Sequence, residues 1–132
     1  MHKYLHDADE LLPGILLDRD TQKFKLYGKS CPVNAFEFYE PVFNWLDSYI
    51  KDPLEQTTFD FFLNYINTAS SKMVLKLMYK LEELIELGKN VKVRWFYSED
   101  DDMMETGEEF EKILDLKFEF IETDNEDVLL ED

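Results

Sequence analysis

The chain has 132 residues, of which 45% are apolar and 15% aromatic, and 30 acidic against 14 basic residues give a formal net charge of −16. That length suits one domain, and that apolar content is enough to build a core, which excludes a mainly disordered chain. The charge argues against nucleic-acid binding and against an anionic membrane surface, because neither polyanion would be attracted to so acidic a protein.

In chain order, the first residues hold His2 and His6 among Asp7, Asp9 and Glu10. Their i, i+4 spacing invites a zinc reading, but no further ligand is nearby and the segment reads as a loose terminus. It has no apolar run of signal-peptide length, and no stretch approaches the ~20 apolar residues needed to span a bilayer. A single cysteine, Cys31, fits a reducing compartment, so a soluble cytoplasmic protein is expected.

Gly14-Ile15-Leu16-Leu17 and Lys23 to Tyr27 read as two strands, joined by the turn Asp18-Arg19-Asp20-Thr21-Gln22. Asn34 stands three residues before Glu37 as a cap-like pair, and Ala35, Phe38, Val42, Trp45, Leu46, Tyr49 and Ile50 follow helical spacing. Pro41 is out of place inside a helix, so the helix proper is expected to begin near it. Thr57 to Ile66 is dense in threonine and aromatics and reads as a central strand. Phe59, Phe61, Leu63 and Tyr65 fall on one face and Phe62 and Ile66 on the other, which predicts cover on both faces.

The polar junction Asn67-Thr68-Ala69-Ser70-Ser71 leads into a long helix, closed by Gly88 in the C′ place. A strand over Val91–Tyr97, a short helix within Glu99–Leu114 and a last strand over Lys117–Ile121 complete the order ββαβαβαβ. The predicted fold is therefore α/β: a single domain with a mixed sheet, an N-terminal hairpin, parallel crossovers and helices outside. The folded core is expected over about residues 12–122 of the single domain 1–132, with an acidic tail at 123–132.

Catalytic chemistry finds little support. Both histidines precede residue 7, so no Ser or Cys nucleophile in the body of the fold has a histidine partner. No glycine-rich phosphate loop is present, and no cofactor is implied. Glu99, Asp100, Asp101 and Asp102, with Glu105, Glu108, Glu109 and Glu111 behind them, could suggest a metal-dependent enzyme. The calcium-loop pattern does not fit, and acids at a helix start also favour the macrodipole, so a solvated acidic helix or a protein-docking face is the simpler reading.

Asn67 to Lys72 is the more informative segment, because α/β proteins place ligands where strands end and helices begin. Thr68 or Ser70 could merely cap the helix. A phosphate on Thr68 would instead face backbone N–H groups at the helix N-terminus. Lys72, Lys76 and Lys80 continue from Thr68 at i+4 steps, a basic strip that could pair with local acids, receive an acidic partner or steady a phosphate through Lys72.

Three blocks carry a resemblance to the SiaC-type regulatory phosphoproteins of bacterial biofilm signalling, similar in fold to STAS-type anti-sigma-factor antagonists. They are Gly28-Lys29-Ser30-Cys31-Pro32-Val33-Asn34 with Phe38-Tyr39-Glu40-Pro41 and Trp45-Leu46; Tyr65-Ile66-Asn67-Thr68-Ala69-Ser70-Ser71-Lys72; and Val93 to Tyr97 with Glu99 to Asp102, Glu105 and Gly107 to Phe110. The resemblance spans roughly residues 13–122. It implies that Thr68 is a phosphoacceptor, modified by a serine/threonine kinase of anti-sigma-factor type and restored by a PP2C-type phosphatase. It implies further that the unmodified form binds and activates a diguanylate cyclase, which raises cyclic di-GMP. Asn67, Ser70, Ser71 and Lys72 would then surround the phosphosite, and Lys76, Lys80 and Glu99 to Asp102 would be candidates for partner binding. A partner-switching module with another effector is the alternative. Two positions depart from the family pattern: Val33 stands where Glu is usual, and Ala69 where Ser is usual.

Overall fold

The computed structural model describes residues 1–124. The elements run β1 (Tyr4–His6), β2 (Gly14–Asp18), β3 (Lys23–Ser30), α1 (Ala35–Ile50), β4 (Gln56–Ile66), α2 (Thr68–Glu86), β5 (Asn90–Tyr97), α3 (Met103–Ile113) and β6 (Phe118–Glu122). One six-stranded sheet has the strands in sequence order. β1, β2 and β3 pair antiparallel, and β3 to β6 pair parallel through helical crossovers. The segment from residue 125, which holds most of the expected acidic tail, lies outside the described residues.

Three expectations change and one is refined. The first residues are not loose: Tyr4–His6 adds a strand to β2, His6 Nδ1 donates to the Pro13 carbonyl at 2.9 Å, and Trp45 Nε1 donates to the His2 carbonyl at 2.7 Å. The folded body therefore starts before residue 12. The first helix begins at Ala35, not near Pro41, with Asn34 Oδ1 accepting from the Glu37 amide at 3.0 Å. Pro41 and Glu37 are both exposed, so the carbonyl that proline leaves without a partner is on the wet side, while burial of Tyr39, Val42, Phe43, Leu46 and Tyr49 holds the helix.

The third point refines the layers: both faces of β4 are covered, as expected, but helices cover only one. α1, α2 and α3 all pack on one face, against Ile15, Leu17, Phe24, Leu26, Phe59, Phe61, Leu63, Val93 and Trp95. Three crossovers that each step to the next strand in the same direction, all right-handed, deliver their helices to the same side. The opposite face of β4 is covered by strand side chains. Phe62 stacks on Phe96 at 5.9 Å with Tyr27 and Ile121 beside them, and Arg94 grips Asp60 through two bonds of 2.6 Å. The buried Asp60 side chain is tolerable because the guanidinium meets both of its oxygens.

The fourth is a bulge. Gly28 pairs with Leu63 but Lys29 with Tyr65, so Asn64 is an extra residue in β4. The parity of the strand flips there, and Tyr65 turns outward instead of joining Phe59, Phe61 and Leu63.

Candidate functional site

β4 ends at Ile66, and Asn67 then caps α2. Its backbone is extended (φ −83°, ψ 172°) and its Oδ1 accepts from the Ser70 amide at 2.8 Å. Thr68, expected as a possible cap, is instead the first helical residue, and its side chain is exposed. Ser70 is not a cap side chain either. It points inward at 0% exposure. The amides of Thr68 and Ala69 stand at the open end of the helix, where an α-helix supplies no acceptor.

A buried hydroxyl relay fixes this helix end. Ser30 Oγ, at the last position of β3, donates to Ser70 Oγ at 2.9 Å and lies 2.7 Å from Tyr39 Oη of α1. All three residues are fully buried, and burial pushes the Tyr39 hydroxyl up to about 12. The Asn67 amide donates to the Ser30 carbonyl at 3.2 Å, so the β3 end, α1 and the start of α2 meet at one point beneath Thr68.

Beside Thr68 runs an open groove of about 450 Å³ between α2 and α3. Ile66, Leu75, Phe110 and Ile113 give it apolar walls, and Asn67, Thr68, Ser71, Lys72, Thr106 and Glu109 its polar rim. The α3 wall is set by Trp95: its Nε1 donates to the Met103 carbonyl at 2.7 Å, and its ring meets Phe110 edge-on at 5.8 Å. Gly107 lies flat on that indole. A Cβ there would come within 2.6 Å of Trp95 Nε1, so only glycine allows α3 to sit this close.

Of the expected site residues, Asn67, Thr68, Ser71 and Lys72 share the groove, with Ser70 beneath it. Lys76 and Lys80 do not join them. Each i+4 step turns about 40° around a helix axis, so the strip winds away from α3 toward α1. Lys76 Nζ sits 4.9 Å from the Phe43 ring centre, and Lys80 pairs with Asp47 at 2.6 Å. Glu99, Asp100, Asp101 and Asp102 form the β5–α3 loop and stay apart from the groove. Asp101 Oδ1 accepts from the Met103 amide at 3.0 Å, Ser98 Oγ accepts from the Asp100 amide at 3.4 Å, and Glu99, Asp101 and Asp102 line a separate hollow with Met104, Glu105 and Glu122. Among the described residues no group of three or more His, Cys, Asp or Glu side chains is arranged to hold a metal ion. No described helix is long and apolar enough to cross a membrane.

Sequence reasoning gave no site role to Ser30, Tyr39, Thr106 or Ile113. Ser30 had a usable signal: it follows Phe24 and Leu26 in the core-facing phase of β3, where a hydroxyl requires a partner.

The profile of the SiaC family, described as regulatory phosphoproteins, matches residues 7–123. A protein of Pseudomonas aeruginosa (strain UCBPP-PA14) is 30% identical over 109 residues, covering 82% of this chain and 85% of that protein. The structure of SiaC of Pseudomonas aeruginosa superposes with a TM-score of 0.85 at 26% identity, covering 93% of this chain and 100% of that one. SiaC also matches as it occurs in a crystal structure with the diguanylate cyclase SiaD, of which it is the activator. There the TM-score is 0.84 at 26% identity, covering 91% of this chain and 99% of that one.

Proposed function

The chain belongs to the SiaC family of regulatory phosphoproteins, and on that premise we propose that it is a non-enzymatic switch whose unmodified form binds and activates a diguanylate cyclase. Phosphorylation of Thr68 turns it off. A kinase of anti-sigma-factor type adds the phosphate and a PP2C-type phosphatase removes it. The observation that carries this reading is the position of Thr68: exposed, first in a well-capped helix, and at the rim of the groove between α2 and α3.

The chemistry of that position supports one acceptor. Ser70 is sealed in the relay with Ser30 and Tyr39, and Ala69 has no hydroxyl. Ser71 is half-buried, whereas the Thr68 hydroxyl is open to a kinase. A phosphate on Thr68 adds about −1.5 to −2 charges. The helix end and Lys72, one turn further on, would stabilise it by about 1 kcal/mol. That is too little to refold a domain, so the phosphate acts where it stands. It fills the rim of the groove and repels acidic groups of the partner. A partner crystallised with the related SiaC, the diguanylate cyclase SiaD, supports a cyclase as the effector. A non-catalytic role is supported by the description of the family, regulatory phosphoproteins.

Co-expression with its kinase tests the proposal. Intact mass should show one added phosphate on the wild type and on Thr68→Ser, and none on Thr68→Val. A phosphopeptide at Ser70 or Ser71 in place of Thr68 would overturn the assignment.

A further inference from the structure

Two exposed aromatic rings each carry a lysine, one on the helical side of the sheet and one on the opposite face. Lys76 Nζ lies 5.6 Å from the centre of the Phe36 ring, which is 53% exposed, and Lys29 Nζ lies 5.9 Å from that of Tyr65, which is 49% exposed. Lys72 stands exposed between Thr68 and Lys76, so Thr68, Lys72 and Lys76 mark successive turns of one ridge, ~6 Å apart. In a chain with 30 acids, Arg19, Lys80, Lys89, Lys92 and Arg94 all meet a carboxylate. Lys29, Lys72 and Lys76 make no ion pair among the described residues. On the helical side, the Lys72 and Lys76 ammonium groups and the half-bare Phe36 ring thus form a local cationic, apolar surface on a strongly anionic protein.

We propose that this surface, with Phe36 and Lys76 at its centre, receives an acidic amphipathic segment of the partner protein. The carboxylates of the segment pair with Lys72 and Lys76 without displacing any internal ion pair, and its apolar side chains cover the Phe36 ring. A cation already seated over a ring holds that ring in place, so little order is lost on docking. Screening limits the field to about 8 Å at physiological salt, so a short acidic segment feels the lysines more than the distant acids. An extended polyanion such as nucleic acid, or an anionic bilayer, would reach past the patch into those acids. The proposal rests on the phospho-switch reading for its control: a phosphate on Thr68 would reduce a local charge of +2 to about zero.

The test measures association and dissociation of the full-length chain with the diguanylate cyclase that it activates. The Lys72→Glu, Lys76→Glu double variant should slow association by about tenfold at low salt, with the gap narrowing as salt is raised. Phe36→Ala should speed dissociation by about tenfold. Lys51→Glu and Lys117→Glu, elsewhere on the surface, should change neither rate by more than about twofold. Lys72→Gln, Lys76→Gln should give an intermediate loss. Equal effects at both pairs of sites would overturn the surface while leaving the switch intact. Failure of the wild-type protein to bind any cyclase would instead overturn the functional reading. The surface is then decided by a benzoylphenylalanine at Phe36 in native cells: a cross-link to an acidic amphipathic segment supports it, and a cross-link to a basic or neutral segment, to lipid or nucleic acid, or none at all, overturns it.

Discussion

Replacing Tyr39 with phenylalanine removes one oxygen from the relay beneath α2. Ser30 gives its own proton to Ser70, so Tyr39 is the donor at the head of the relay, 2.7 Å from Ser30 Oγ. Its loss breaks one buried hydrogen bond and leaves an acceptor on Ser30 without a donor, a cost of about 1–2 kcal/mol. For a domain of this size that lowers Tm by about 4–8 °C. The same hydroxyl has a pH signature. Burial raises its pKa from 10.0 to about 12, so the folded state holds the proton more tightly than the unfolded one. The corresponding stability is whole below pH 10 and is lost as pH rises toward 12, by about 2 kcal/mol in all. Tyr39→Phe has no such loss, so the gap between wild type and variant should close over that window. Tyr4 and Tyr27, which burial also raises, titrate in both proteins and cancel. Urea unfolding at intervals from pH 8 to pH 12 measures the gap. A gap that stays constant across this range, or no gap at pH 8, would refute the relay.

Asn67→Ala should cost about 0.5–2 kcal/mol in thermal unfolding, because it removes the side chain that caps Ser70 N, whereas Thr68→Ala should cost less than about 0.5 kcal/mol. The reverse order would mean that Thr68 is the cap. Gly107→Ala should destabilise the protein by about 1–3 kcal/mol, seen by calorimetry, since its methyl would press on an indole already bonded to Met103. Steady turnover of phosphoesters or nucleotides by repurified protein is not expected; activity that disappears on substitution of Glu105 or Glu109 would contradict a purely binding role.

Much of the fold was readable because most elements declare their own period. The alternation of β5 and the Val74, Leu77, Met78, Leu81, Leu84 stripe of α2 need no distant information, and Gly88 closes α2 as read, with φ +84°. What was not readable depends on partners far away in sequence. β1 has three residues and no period of its own, and it exists by pairing with β2. Apolar residues on both faces of β4 indicated cover on each side, and both faces are covered, but Phe62 finds its cover in Tyr27, Phe96 and Ile121 of the same sheet and not in a helix. Asn67 and Thr68 are both able caps, and only the bond to Ser70 separates them. Thr68 was legible as a helix-start hydroxyl. The groove beside it was not, because Trp95 and Gly107 set the position of α3 from 27 residues or more away along the chain.

Cyclic di-GMP synthesis is the most direct measure of the switch. The purified cyclase is assayed with unmodified protein, with protein phosphorylated fully on Thr68, and with Thr68→Val taken through the same kinase treatment. The unmodified protein and the treated Thr68→Val should both stimulate synthesis, and the phosphoprotein should leave it at the basal rate while keeping its Tm within a few degrees. Equal stimulation by the unmodified and phosphorylated proteins would contradict a switch at Thr68.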